Sequence, residues 1–238
     1  MKQLFFGLLI GLCAHAHAHA EKAGRIPLGE IRTDTVATNS RTRYTFNTES
    51  KTYELAENQV RSTTKMIGTG VFGTLQETSV DEDSKVIGRD IKGYARISLF
   101  ERDGKFFIKD MISVDDKLEG LDIKFESEVE IEVELKKGTV DDYRDGRRVE
   151  LGMTAEGKRR WLESSSRPLN EILKTNLEKS LADAFPQVKA ESSLDQIEMS
   201  DLSRIIVDAN ELIIEVPSYR VRVQVSVFLS EPVESSPR

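Results

Sequence analysis

Polar and apolar residues alternate through Leu121–Leu135 more strictly than elsewhere in the chain. Leu121, Ile123, Phe125, Val129, Ile131, Val133 and Leu135 hold the odd positions, and Asp122, Lys124, Glu126, Glu128, Glu130, Glu132 and Glu134 the even ones. A period of two puts the apolar side chains on one face of a strand and the charges on the other, whereas a helix would scatter both. Fully extended, the stretch spans about 50 Å, against about 20 Å for an ordinary strand. Ser127, the one polar residue on the apolar face, predicts a bend. An amphipathic strand of this length predicts a large antiparallel sheet with one face in water and the other covered.

The rest of the chain yields weaker patterns. Thr42, Tyr44 and Phe46 alternate and predict a first strand, while Tyr53–Met66 fits a short helix or a strand. Gly68, Gly70 and Gly73 predict a twisted strand with a close approach of backbones. The polar stretch 77–90 reads as an exposed loop. Its Asp81-Glu82-Asp83 lacks the alternate spacing and the glycine of a calcium loop. Ile91–Phe100 and Phe106–Val114 predict a hairpin turning at Asp103-Gly104, a pair suited to a type I′ turn. Residues 136–148 read as a charged loop.

Ala155–Glu163 predicts a short helix around Trp161. Pro168 suits the first turn of a second helix, in which Leu169, Ile172, Leu173, Leu177, Leu181 and Phe185 form one apolar stripe that Pro186 ends. Leu212–Val216 reads as a short strand stopped by Pro217. Tyr219, Val221, Val223, Val225, Val227 and Leu229 form another strand, with Arg220 and Arg222 on its outer face. The glutamates from 126 to 134 lie about 7 Å apart along one face and repel one another. A basic strand beside them would offset this. Arg220 and Arg222, ahead of Arg41 and Arg43, are the expected neighbours.

Charge and chemistry narrow the function. Lys2, the apolar run Leu4–Leu12 and the Ala-His-Ala repeat ending at Ala20 read as a secretory signal peptide, cleaved after Ala16, Ala18 or Ala20. Leu12 before Cys13 is not the small residue a lipidation site needs, so the signal reads as an ordinary one. Periplasmic or secreted localisation follows, with no membrane span once the signal is cut. Cleavage after Ala20 removes the single cysteine and all three histidines. The remaining chain then lacks the groups for disulfides, a Ser-His-Asp triad, a cysteine nucleophile or the common zinc sets. Paired carboxylates could still act without histidine, but none of the 41 acids is singled out. The expectation is therefore no catalytic residue, no metal, no cofactor and no enzyme. A net charge of −7 argues against nucleic acid as a partner. The domain reading is a signal over 1–20, an extended lead-in over 21–40, a single domain over 41–230 and a disordered tail over 231–238.

The order of elements resembles the tubular lipid-binding (TULIP) superfamily, and within it small bacterial envelope lipoproteins. The resemblance covers about residues 91–216. It is carried by the hairpin Leu99–Met111 (sequence LFERDGKFFIKDM), by Leu169–Leu173 (LNEIL) running on to Phe185, and by Glu211–Val216 (ELIIEV). It implies an α+β fold in which a long curved antiparallel sheet wraps along one long amphipathic helix. It also implies a groove for a lipid or other apolar ligand between helix and sheet, walled by Leu121, Ile123, Phe125, Val129, Ile131, Val133, Leu135, Leu169, Ile172, Leu173, Leu177, Leu181 and Phe185. The alternative is a structural or adaptor module that meets an envelope protein partner through a sheet edge.

Overall fold

The computed structural model describes residues 25–70, 78–87, 92–118, 121–182 and 185–230. The predicted signal segment, the predicted tail from 231, Gly73 and the ends of the predicted 77–90 loop lie outside these residues. Among the described residues, β1 (Arg25–Asn47), β2 (Thr52–Gly70), β3 (Thr78–Ile87), β4 (Gly93–Arg102), β5 (Lys105–Leu118), β6 (Leu121–Lys137), β7 (Val149–Met153), β8 (Val188–Met199), β9 (Arg204–Val207) and β10 (Glu211–Ser230) form one antiparallel sheet. Two helices accompany it, α1 (Val140–Arg144) and α2 (Ala155–Ala182).

This corrects the expected fold class. The protein is mainly β, and its sheet is not wrapped along one long helix. Instead, the strands close on themselves in the ring order β1-β10-β9-β7-β6-β5-β4-β2, with β2 returning to β1. Helix α2 packs on β6, β7, β8 and β10 only at one end of that ring. The expectation failed because, within the ring, the apolar faces of the strands are covered chiefly by other strands. Closure also removes sheet edges, which open sheets must protect.

Three strands outlast the ring. Strand β10 pairs with β9 over Leu212–Glu215, then with β8 over Tyr219–Leu229. Strand β2 pairs with β4 at Tyr53–Glu54, then with β3 over Glu57–Met66. Beyond the ring, β3, β2, β1, β10 and β8 therefore continue as an open ribbon. The two parts meet where the chain changes face. In the ring the inward residues are Tyr44, Leu212, Ile214 and Val216, at even positions. In the ribbon they are Thr33, Ala37, Val221, Val223, Val225 and Val227, at odd ones. The change falls at Asn39, whose φ is 55°, and at Pro217. Asparagine tolerates this left-handed conformation, and proline, lacking an N–H, suits the level at which β10 exchanges β9 for β8.

Each part has its own core. Ile97, Ile108, Leu151, Ile205 and Leu212 are fully buried inside the ring, and Tyr44, Phe106, Ile131, Val133 and Trp161 pack around them. Helix α1 closes the far end. Its Thr139 cap and Asp142 bond reciprocally, the Tyr143 hydroxyl donates to the Leu99 carbonyl at 3.1 Å, and Arg144 forks onto Glu101. The second core joins Leu162 and Leu177 of α2 to Val188, Ala190 and the valine row of β10. Neighbouring residues Trp161 and Leu162 thus belong to different cores, and α2 spans the junction.

Several expectations meet these facts directly. The 53–66 stretch is strand, and residues 25–47 form one strand that begins well before Thr42. The predicted loop at 77–90 holds β3, whose Asp81 accepts from the Thr63 hydroxyl at 2.7 Å and whose Asp83 pairs with Arg61 at 3.4 Å. The 136–148 loop contains α1. The two predicted helices are one, running through Pro168. Pro217 lies inside β10 and does not end it. Asp103 and Gly104 both have positive φ, at 54° and 75°, as a type I′ turn requires. Gly70 lies so close to Gly29 that a Cβ on it would stand 2.3 Å from the Gly29 Cα. The pairing of β5 with β6 shows no register shift at Ser127. The glutamate row has different neighbours from those expected. Lys109 reaches Glu128 at 2.7 Å, Arg102 reaches Glu130 at 3.1 Å and Lys105 reaches Glu132 at 3.0 Å, all from β4 and β5. Arg222 pairs instead with Asp34 and Arg41 with Glu215, because β7 and β9 stand between β6 and β10.

Candidate ligand cavity

Where the ring gives way to the ribbon, the facing change leaves space that neither core fills. A cavity of about 350 Å³ lies there. Strand β1 contributes Thr35, Ser40, Thr42 and Tyr44, and β2 contributes Leu55, Asn58 and Val60. Asp110 and Ile112 come from β5, Trp161, Leu162 and Ser166 from α2, and Ile214, Val216, Tyr219 and Val221 from β10. The alternation of each strand explains the mixture. On β1 and β2 the inward positions mix small polar residues with Tyr44, Leu55 and Val60, and two pairs of the polar ones bond to each other. Thr42 donates to Asn58 at 2.9 Å, and Thr35 and Thr64 share a bond of 3.1 Å. On β10 and α2 the inward positions are apolar or aromatic except for Ser166.

Asp110 is the exception in this lining. It occupies an inward position of β5, between Ile108 and Ile112, and is 2% exposed. Its Oδ1 has no hydrogen-bond partner among the described residues. Burial pushes its pKa up to about 7, against the opposing pull of the Met111 backbone N–H. The same low-dielectric surroundings raise the Tyr44 hydroxyl well above its ordinary value, with the Asp110 charge adding to the effect. Burial also raises Tyr219. Both phenols are therefore neutral donors at neutral pH.

Helix α2 supports the cavity through serines. The Ser164 hydroxyl meets Ser127 of β6 at 3.2 Å, and both residues are buried. The Ser166 hydroxyl bonds back to the Leu162 carbonyl, an arrangement that tends to bend a helix. Pro168 then removes the backbone bond to the Ser164 carbonyl. These features let one helix place Trp161 on the ring and Leu177 on the ribbon.

The cavity walls differ from those expected. Phe125, Ile131 and Val133 are buried, Val129 and Leu135 are partly buried against the ring core, and Leu177 is buried in the ribbon core. Phe185 is 37% exposed beyond the end of α2. None of these lines the cavity. The side chains of Leu121, Ile123, Leu169, Ile172, Leu173 and Leu181 lie outside the described residues. The residues that do line it went unnoticed in the sequence, although one signal was readable. Asp110 is an acid at an apolar position of an alternating strand, Phe106-Ile108-Asp110-Ile112-Val114.

A second, larger depression of about 850 Å³ lies over the β1–β2 turn and β4. Its arginines stand in ion pairs, Arg96 with Glu54 at 3.1 Å and Arg43 with Glu57 at 3.5 Å, so the Arg96 Nε that lacks hydrogen-bond geometry is offset by a carboxylate, as Asp110 is not by any cation among its described lining residues. Among the described residues no group of three or more His, Cys, Asp or Glu side chains is placed to hold a metal ion. No helix among them is long and apolar enough to cross a membrane. No protein-family model matches the chain, and no curated protein matches it.

Proposed function

We propose that the protein binds a small apolar or amphipathic molecule, without catalysis, in the cavity between α2 and the inner faces of β1, β2, β5 and β10. The observation that carries this reading is the composition of that cavity. Its volume of about 350 Å³ falls within the range of small-molecule sites, roughly 300–1,000 Å³. Apolar and aromatic walls with a few convergent polar groups are the usual makeup of such sites. The volume suits a short-chain molecule better than a whole phospholipid. The apolar run before Ala20 supports placing this activity in the cell envelope.

The adaptor alternative would use the edge strands β3 and β8. Asp81 and Asp83 on the first and Lys189, Glu191, Asp195 and Glu198 on the second put charge along both. Charge of this kind discourages strand addition, so the cavity is the better-supported site.

Native mass spectrometry of protein purified from the envelope fraction tests the reading. The expected spectrum contains a mass adduct of a small organic molecule that is lost on gentle activation. Adduct-free protein that also takes up no alkyl probe would overturn it. N-terminal sequencing of the same sample is expected to begin between His17 and Glu21, and an intact Met1 would remove the envelope assignment.

A further inference from the structure

We propose that the ligand carries an organic ammonium group, held between the Asp110 carboxylate and the rings of Tyr44, Trp161 and Tyr219. This rests on the cavity being a binding site and names the chemistry it selects. Three features converge. Asp110 is buried, projects into the cavity and leaves Oδ1 without a partner among the described residues. Buried polar groups are nearly always partnered, and an orphan calls for an explanation. A ligand donor supplies one. Three of the lining side chains are aromatic, and the face of an aromatic ring attracts a cation, Trp most strongly. Finally, none of the described lining residues is Lys, Arg or His.

The last feature decides between ligand classes. A fatty acid or a phosphate headgroup would bring its anion beside Asp110 with no cation to receive it. Like charges in a desolvated site repel strongly. A neutral alcohol would satisfy Oδ1 but would leave the aromatic walls without any special role. An ammonium uses both, since its charge favours the ionised carboxylate and its methyl or methylene groups suit the rings. A bare metal ion would find one carboxylate among the described lining residues.

Trp161 is the only tryptophan of the chain and lines the cavity, so its fluorescence reports occupancy. The mature protein is titrated at about pH 8, above the value for Asp110, with hexylammonium, hexanol and hexanoate. The ammonium is expected to bind about tenfold or more tighter than hexanol, and hexanoate no tighter than hexanol. Asp110→Asn should bring the ammonium down to the level of hexanol, and Tyr219→Leu should lower ammonium affinity several-fold with little change for hexanol. Circular dichroism checks the fold of each variant. If Asp110→Asn does not fold, the ammonium preference of Tyr219→Leu alone decides. Equal binding of all three probes, or a preference that survives the substitutions, overturns the ammonium assignment and leaves the cavity reading standing. Failure of all three probes to bind overturns both.

Discussion

The ring and the ribbon share β1, β2 and β10 but are held together differently. Inside the ring, inward positions carry large side chains such as Tyr44, Leu212 and Ile214, which join one buried cluster. In the ribbon the same β1 and β2 turn Thr33, Thr35, Thr64 and Gly68 inward, and apolar cover comes from α2 over β8 and β10 alone. A closed set of strands can cover its own apolar faces. An open one needs another layer, and here that layer reaches only part of the way. The cavity lies where one solution ends and the other begins.

The largest expected effect tests the ring. Leu212→Ala should cost about 2–5 kcal/mol in urea denaturation, with a single transition if the two parts unfold together. Separate transitions would show that the ribbon melts alone. Asp110 comes next. Its pKa in the folded protein, about 7, lies above the ordinary 3.8, so the folded state holds a proton that the unfolded chain has already released. The stability associated with that proton is fully present below about pH 4, falls as pH rises and levels off above about pH 7, a total change of about 4 kcal/mol. Asp110→Asn should flatten this slope, and a wild-type curve without it would show that the carboxyl is solvated.

Ser127→Ala, which leaves Ser164 facing the ring without its partner, should cost about 1–3 kcal/mol. It should loosen α2 more than the ring, as hydrogen exchange of α2 amides would show. The smallest effect concerns the outer face. Lys105→Ala removes the partner of Glu132 at a half-exposed site and should cost less than about 1 kcal/mol, with the loss shrinking as salt is added. A cost unchanged by salt would point to packing of the lysine stem.

Much of this molecule was legible in alternation. The 121–135 strand, the Asp103-Gly104 turn and the close approach at Gly70 follow from side-chain period and backbone freedom, which are local. Ring closure was not legible, because pairing of β1 with β10 depends on residues nearly the whole chain apart. Strands β7 and β9 are too short to show a period, and α1 is only five residues long. The two halves of α2 were separated by Pro168, which usually marks a helix start and here lies within one. Pro217 misled in the same way, since the apolar positions move from even to odd around it and one strand looks like two. The site was the least legible part. Apolar stripes mark what is buried, and the informative residue was the acid that interrupts one of them.

The pairing of Arg25 with Ser230 at one end of β1 and of Thr45 with Glu211 at the other bears on how the chain reaches its native state. The first strand finds its main partner only in the last, so no shorter N-terminal fragment can complete the ring. Contacts this distant in sequence close slowly, because the entropy of a long loop must be met before they form. The strand order itself therefore delays folding until the chain is nearly complete, since the ring cannot close until β10 has arrived.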